Sequence, residues 1–127
     1  MKENRLTIQI NKPIGEVFEF STNPQNTSKW FSSIAEEETS DWPIKLGTIY
    51  RNRGETGDWN ECVVSDLKEN EVFELSSKKT PYHVRYTYKD LGGGKTELEY
   101  YEWMDEGELD GVVGQETLDK LKEIMEL

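Results

Sequence analysis

Residues 12–31, KPIGEVFEFSTNPQNTSKWF, carry a helical pattern inside a chain that otherwise reads as strands. Pro13 suits the first turn of a helix, where a missing N–H costs nothing. Ile14, Val17 and Phe18 then recur at i, i+3, i+4, a buried helical face, with Glu16 near the positive end of the dipole. Thr22-Asn23-Pro24 repeats the device: Asn23 is a cap, Pro24 a start, and Trp30 and Phe31 close the segment. Neither helix is long enough to stand alone, so both must be held by packing, with Trp30 as an anchor.

The flanking sequence alternates. Leu6, Ile8 and Ile10 oppose Thr7 and Gln9, a half-buried strand. After the helices a short strand is expected over 34–39, with Glu36, Glu37 and Glu38 as a solvated or edge-blunting run. Asp41-Trp42-Pro43 reads as a turn with Trp42 folded back onto the core. Gly47 opens a strand over 48–53, residues 53–58 form a loop, and strands follow at 59–67 and 71–77. The clearest alternation lies at 82–89: Tyr82, Val84, Tyr86 and Tyr88 face one way, His83, Arg85, Thr87 and Lys89 the other. Gly92-Gly93-Gly94 turns the chain into a strand over 95–103. Tyr101 and Trp103 sit off the parity of Leu98 and Tyr100, which predicts a bulge or twist there.

Leu118, Leu121, Ile124 and Met125 form an apolar stripe on a C-terminal helix. Its start has two readings. Asp105 and Glu108 have capping-box spacing, and a helix extended back to them places Gly111 and Gly114 on or beside the stripe, where either the backbone comes very close to the sheet or the missing side chains leave space for a ligand. Alternatively residues 104–114 are loop and the helix begins near Gln115.

At 127 residues the chain is expected to form one domain, 1–127, with a real core. Its 32% charged residues and net charge of −11 lean towards disorder, but four Trp, six Tyr and four Phe argue for a folded interior. The acidity provides no footprint for nucleic acid and disfavours anionic membrane surfaces. No stretch approaches a membrane span and the N-terminus has no apolar signal core, so a cytoplasmic protein without membrane insertion is expected, as a monomer or weak homodimer. On that reading the Asn26-Thr27-Ser28 triplet is not a glycosylation site.

Several chemistries fail on spacing. GGGKT at 92–96 is no phosphate loop, because Lys89 occupies the position of the first glycine. Gly107, Gly111 and Gly114 do not fit a dinucleotide fingerprint. One Cys and one His cannot build a zinc site, and 105–110 lacks calcium-loop spacing, so no metal or cofactor is expected. Cys62, the sole cysteine, reads as a small core or sheet residue. His83 lies opposite the tyrosine face, towards solvent, and no catalytic residue is assigned.

The order of one strand, two small helices, a meander of strands and a last helix is that of an α+β helix-grip fold. Six or seven antiparallel strands curve around the C-terminal helix. Residues 8–30, Gly47-Thr48, GGGKTEL at 92–98 and LDKLKEIME at 118–126 resemble the SRPBCC superfamily. This START-like group includes the birch pollen allergen, lipid-transfer domains and polyketide cyclase-like proteins. The resemblance implies a cavity between sheet and helix for a small hydrophobic or amphipathic ligand, bound or transported. Its expected lining is Tyr50, Trp59, Val63, Phe73 and Tyr82, then Val84, Tyr86, Tyr88, Leu98 and Tyr100, with Gly111, Val113, Gly114 and Leu118 from the C-terminal segment. Two alternatives remain open. One is a cyclase- or hydrolase-like enzyme using tyrosines and a buried carboxylate such as Glu61. The other is an interaction module, since similar domains activate the ninety-kilodalton heat-shock chaperone.

Overall fold

A computed structural model describes residues 2–127. The elements run β1 (Glu3–Ile10), α1 (Ile14–Thr22), α2 (Pro24–Trp30), β2 (Glu36–Thr39), β3 (Ile49–Arg53), β4 (Asn60–Lys68), β5 (Val72–Ser77), β6 (Tyr82–Gly92), β7 (Lys95–Met104) and α3 (Gln115–Met125). All seven strands join one antiparallel sheet in the order β1-β7-β6-β5-β4-β3-β2. Each strand from β2 to β7 pairs with its sequence neighbour, as hairpin connections require, and β1 closes on β7. This is the helix-grip arrangement.

The paired helices form as their caps dictate. The Asn23 side chain accepts from the Gln25 N–H at 2.9 Å, with Pro24 in the first turn of α2. Val17, Phe18 and Trp30 are buried. Ser21 and Thr22 return hydrogen bonds to the carbonyls of Val17 and Phe18, which removes their hydroxyls from the list of unpaired buried groups.

Two register shifts bend the sheet, and neither is at Tyr101 or Trp103. One lies between Val64 and Asp66, the other between Asp90 and Gly92. The first makes Ser65 an extra residue, so Val64 opposite Leu75 and Leu67 opposite Phe73 both reach the concave side despite odd spacing. Strand β7 keeps strict alternation through Trp103. Tyr101 and Trp103 are outward residues, stacked on each other at 5.0 Å with the Arg5 guanidinium over Tyr101. The inward partner of that parity is Glu102, 2% exposed.

Two other expectations change, and the start of the last helix follows the loop reading. Trp42 is 53% exposed and does not fold back onto the core. Glu36 and Glu38 face outward to Arg53 and Arg51, but Glu37 turns inward. The last helix begins at Gln115, so Gly111 and Gly114 are not on it. Gly111 has φ +72°, a left-handed loop conformation, and Gly114 is the N-cap of α3.

Leu118 and Leu121 are fully buried on the concave side, and α3 packs along β1 and α2. Its polar side chains reach the backbone of β1: Gln115 donates to the Thr7 carbonyl at 3.1 Å and Lys122 to the Gln9 carbonyl at 2.7 Å. The Asn11 N–H donates to Glu126 at 2.8 Å.

Trp30 is 3% exposed and packs on Phe31 and Tyr86, yet its indole N–H has no partner among the described residues. Trp30→Ala is expected to cost about 3–5 kcal/mol in urea denaturation. Trp30→Phe should cost less than half as much, because it also removes an unsatisfied buried donor.

Candidate functional site

The concave face carries a row of tyrosines, and their hydroxyls need partners in a dry interior. Two are used to seat α1. Tyr50 donates to the Thr22 carbonyl at 2.6 Å, and Tyr88 meets the Ser21 hydroxyl at 2.7 Å with its ring edge-on to Phe18. Three remain beyond the helix: Tyr82, Tyr86 and Tyr100. They border a cavity of about 490 Å³. Its floor is β3 to β7, one wall is α2 and the segment after it, and the 110–113 segment lies at its rim.

The cavity is not purely apolar. Glu102 projects from β7 and holds three donors: Tyr82 Oη at 2.8 Å, Asn4 Nδ2 at 2.9 Å and the Val113 N–H at 3.0 Å. Asn4 also donates to the Val113 carbonyl at 2.8 Å. This cluster ties the segment before α3 to the sheet. Across the cavity, Glu37 of β2 accepts from Thr27 Oγ1 at 2.6 Å and Asn52 Nδ2 at 3.0 Å. Burial raises the Glu37 carboxyl above its ordinary value, against the lowering effect of those two bonds. Burial likewise pushes the Tyr82, Tyr86 and Tyr100 hydroxyls up, so each stays a neutral phenol. The Cys62 thiol, at the same wall, is pushed up to about 11 by burial and then by Glu37. It is a poor nucleophile there.

Tyr86 stands apart. It is 6% exposed and lines the cavity, and its hydroxyl has no hydrogen-bond partner among the described residues. A phenol hydroxyl that opens on the cavity without a protein partner is a donor available to whatever occupies that space.

Of the residues expected to line a cavity, Tyr50, Phe73, Tyr82, Val84, Tyr86 and Tyr100 do so, with Gly111 and Val113 at the rim. Tyr88, Leu98 and Leu118 are buried in the core away from it. Val63 alternates to the convex side, Trp59 stacks under the Arg51 and Arg53 guanidinium groups, and Gly114 caps α3. Glu61 is not a buried carboxylate: it sits at the rim and pairs with Lys78 at 3.2 Å. Glu37 and Glu102 take that place. Glu102 was within reach of the alternation Leu98, Tyr100, Glu102, whereas Glu37 lies in an all-acidic run with no apolar residue to set its parity.

His83 lies on the convex face, as its parity implied, but not free in solvent. Its ring stacks on Trp103 at 4.8 Å, Nδ1 meets Ser76 at 2.7 Å and Nε2 meets Asp105 at 2.6 Å. That bond holds the Asp105 carboxyl below its ordinary value. The trio lies away from the cavity. A second, wider groove of about 800 Å³ runs between α1 and Trp42, Pro43 and Ile44. It lacks the inward tyrosines and the buried carboxylates.

Among the described residues no group of three or more His, Cys, Asp or Glu is placed to hold a metal ion, and no helix is long and apolar enough to cross a membrane.

No protein-family model matches this chain, and no curated protein matches it. Solved structures do. The conserved protein of unknown function EF2215 from Enterococcus faecalis superposes with a TM-score of 0.77 at 13% identity, over 97% of this chain and 70% of its own. CV1439 from Chromobacterium violaceum gives 0.72 at 14% identity, over 100% of this chain and 99% of its own. The Polyketide_cyc-like protein Cgl2372 from Corynebacterium glutamicum gives 0.59 at 17% identity, over 80% of this chain and 64% of its own. At these identities the likeness establishes the fold alone.

Glu37 sets a pH dependence. A carboxyl with a raised folded-state value favours the folded state below its unfolded value, near 4.5, and loses that advantage as pH rises through the folded value. Glu37→Gln should therefore gain stability relative to the parent as pH rises above about 4.5, read as a widening difference in paired urea titrations. Glu102→Ala should cost about 1–3 kcal/mol at pH 7, since it strands the Tyr82 hydroxyl and the Val113 N–H.

Proposed function

We propose that this protein binds a small, largely apolar molecule in the cavity between the sheet, α2 and the 110–113 segment, and orients it by a polar end. The observation that carries this is the unpartnered Tyr86 hydroxyl, on a buried ring that faces a partly open cavity of about 490 Å³. That volume suits a small-molecule site, and the mix of many rings with few polar atoms is the usual composition of one. The resemblance to START-like proteins and the Polyketide_cyc-like neighbour support the same reading.

One observation favours an enzyme on the same cavity. The raised carboxyl of Glu37 lines the cavity and could take a proton from a bound molecule, and it fills the place of the buried carboxylate expected at Glu61. Binding is the simpler reading, because no nucleophile is activated there: Cys62 is held as a thiol.

The test is titration with an apolar fluorescent probe. Val84 lies on the cavity floor between Leu75 and Glu102. Val84→Phe and Leu75→Phe should each weaken the probe at least about tenfold. Their thermal midpoints should stay close to the parent's, because the added atoms enter open space. Undiminished probe binding in both, with unchanged melts, rejects the proposal. His83→Ala, on the other face, should leave affinity within about twofold.

A further inference from the structure

The cavity's rings and its carboxylates together define a ligand class. Phe31, Tyr100, Tyr86, Phe73 and Tyr50 form a continuous chain of ring contacts, with successive centroids 6.2, 5.4, 5.3 and 5.3 Å apart. Aromatic faces carry negative potential. Glu37 and Glu102 add formal charge from strands on opposite sides of the sheet, β2 and β7. Neither meets a basic side chain among the described residues. Glu102 is held by three neutral donors, Glu37 by only two, which leaves Glu37 with unused acceptor capacity. The one basic side chain among the lining residues is Lys79, which is exposed.

A neutral apolar occupant would keep these carboxylates out of water and return nothing to them. An anion would be repelled. An alkylated ammonium satisfies both parts of the wall, since its methyl groups pack on rings and its charge meets the ring faces and Glu37.

We propose, resting on the binding reading above, that the cavity selects an organic cation. Its alkylated ammonium lies on the Phe73 and Tyr86 rings towards Glu37, and its apolar body extends towards Tyr100. The Tyr86 hydroxyl supplies a directional bond to an oxygen on that body. Glu37 must be ionised for this. The groups facing it are Thr27 of α2, Tyr50 and Asn52 of β3, Cys62 of β4 and Tyr86 of β6. The titratable ones among them stay neutral through the acid range; Glu61, Glu102 and Asp110 also line the cavity, so the pH profile of Glu37→Gln is what assigns the switch to Glu37.

The experiment is calorimetric titration with an isosteric pair: 4-hydroxy-N,N,N-trimethylanilinium and 4-tert-butylphenol. Transfer from water alone favours the neutral compound. The cation should nevertheless bind at least about tenfold more tightly at pH 7. Glu37→Gln should remove most of that preference while the neutral compound binds as before. If the variant does not fold, the parent protein decides: cation affinity should fall at least about fivefold from pH 7 to pH 4.5, with the neutral compound unchanged. Equal or tighter binding of 4-tert-butylphenol, a flat pH profile for the cation, or an unaltered preference in Glu37→Gln overturns the cation inference and leaves the cavity reading standing. Binding of neither compound overturns both.

Discussion

Every inward tyrosine brings one polar atom to the concave face, where burial strips it of much of its water, and that atom must be received. This constraint arranges the molecule. Tyr50 and Tyr88 are received by the end of α1, which fixes where the helix sits on the sheet. A nine-residue helix has little stability of its own, so these bonds and the burial of Val17 and Phe18 give it its place. Tyr82 is received by Glu102, which in turn holds the strap before α3 through Val113. Tyr100 interacts with Tyr82, and among the described residues Tyr86 is left over.

The cavity is thus what remains after the tyrosines have been used to attach the surrounding elements. Its shape follows from where α1 stops. Helix α2 and the segment after it cover one wall, and Phe31 reaches the ring of Tyr100. The bulge at Ser65 matters as well. Without the extra residue, Leu67 would point outward, and the floor under α1 would lose an apolar side chain.

The fold was legible because its signals are local and periodic. Asn23-Pro24 specifies a cap and a start, the tyrosine alternation specifies a face, and three glycines specify a turn. What escaped reading depends on contacts distant in sequence. Asp105 and Glu108 have the spacing of a capping box, but Asp105 is engaged by His83 of β6 and the helix starts ten residues later. Glu37 is turned inward by Thr27 and Asn52, neither of which is visible from a run of three glutamates. Trp103 seemed to break a pattern because outward aromatics were not expected to stack on a histidine and a second ring. Tyr88 and Leu98 have the parity of cavity residues but lie in the packed core. Parity tells which side a residue faces, not what covers it.

The bonds from Gln115 and Lys122 to the carbonyls of β1 have a consequence for the chain in company. Strand β1 is a terminal strand, and an uncovered one is a template on which another extended chain can add. Helix α3 lies along it and answers two of its carbonyls with side chains that cannot extend a ladder. The same helix that closes the interior therefore also keeps neighbouring copies from joining sheet to sheet. Detaching it would expose Ile8 and Ile10 and free the strand edge in one event, so the C-terminal helix guards the interior and the sheet edge together.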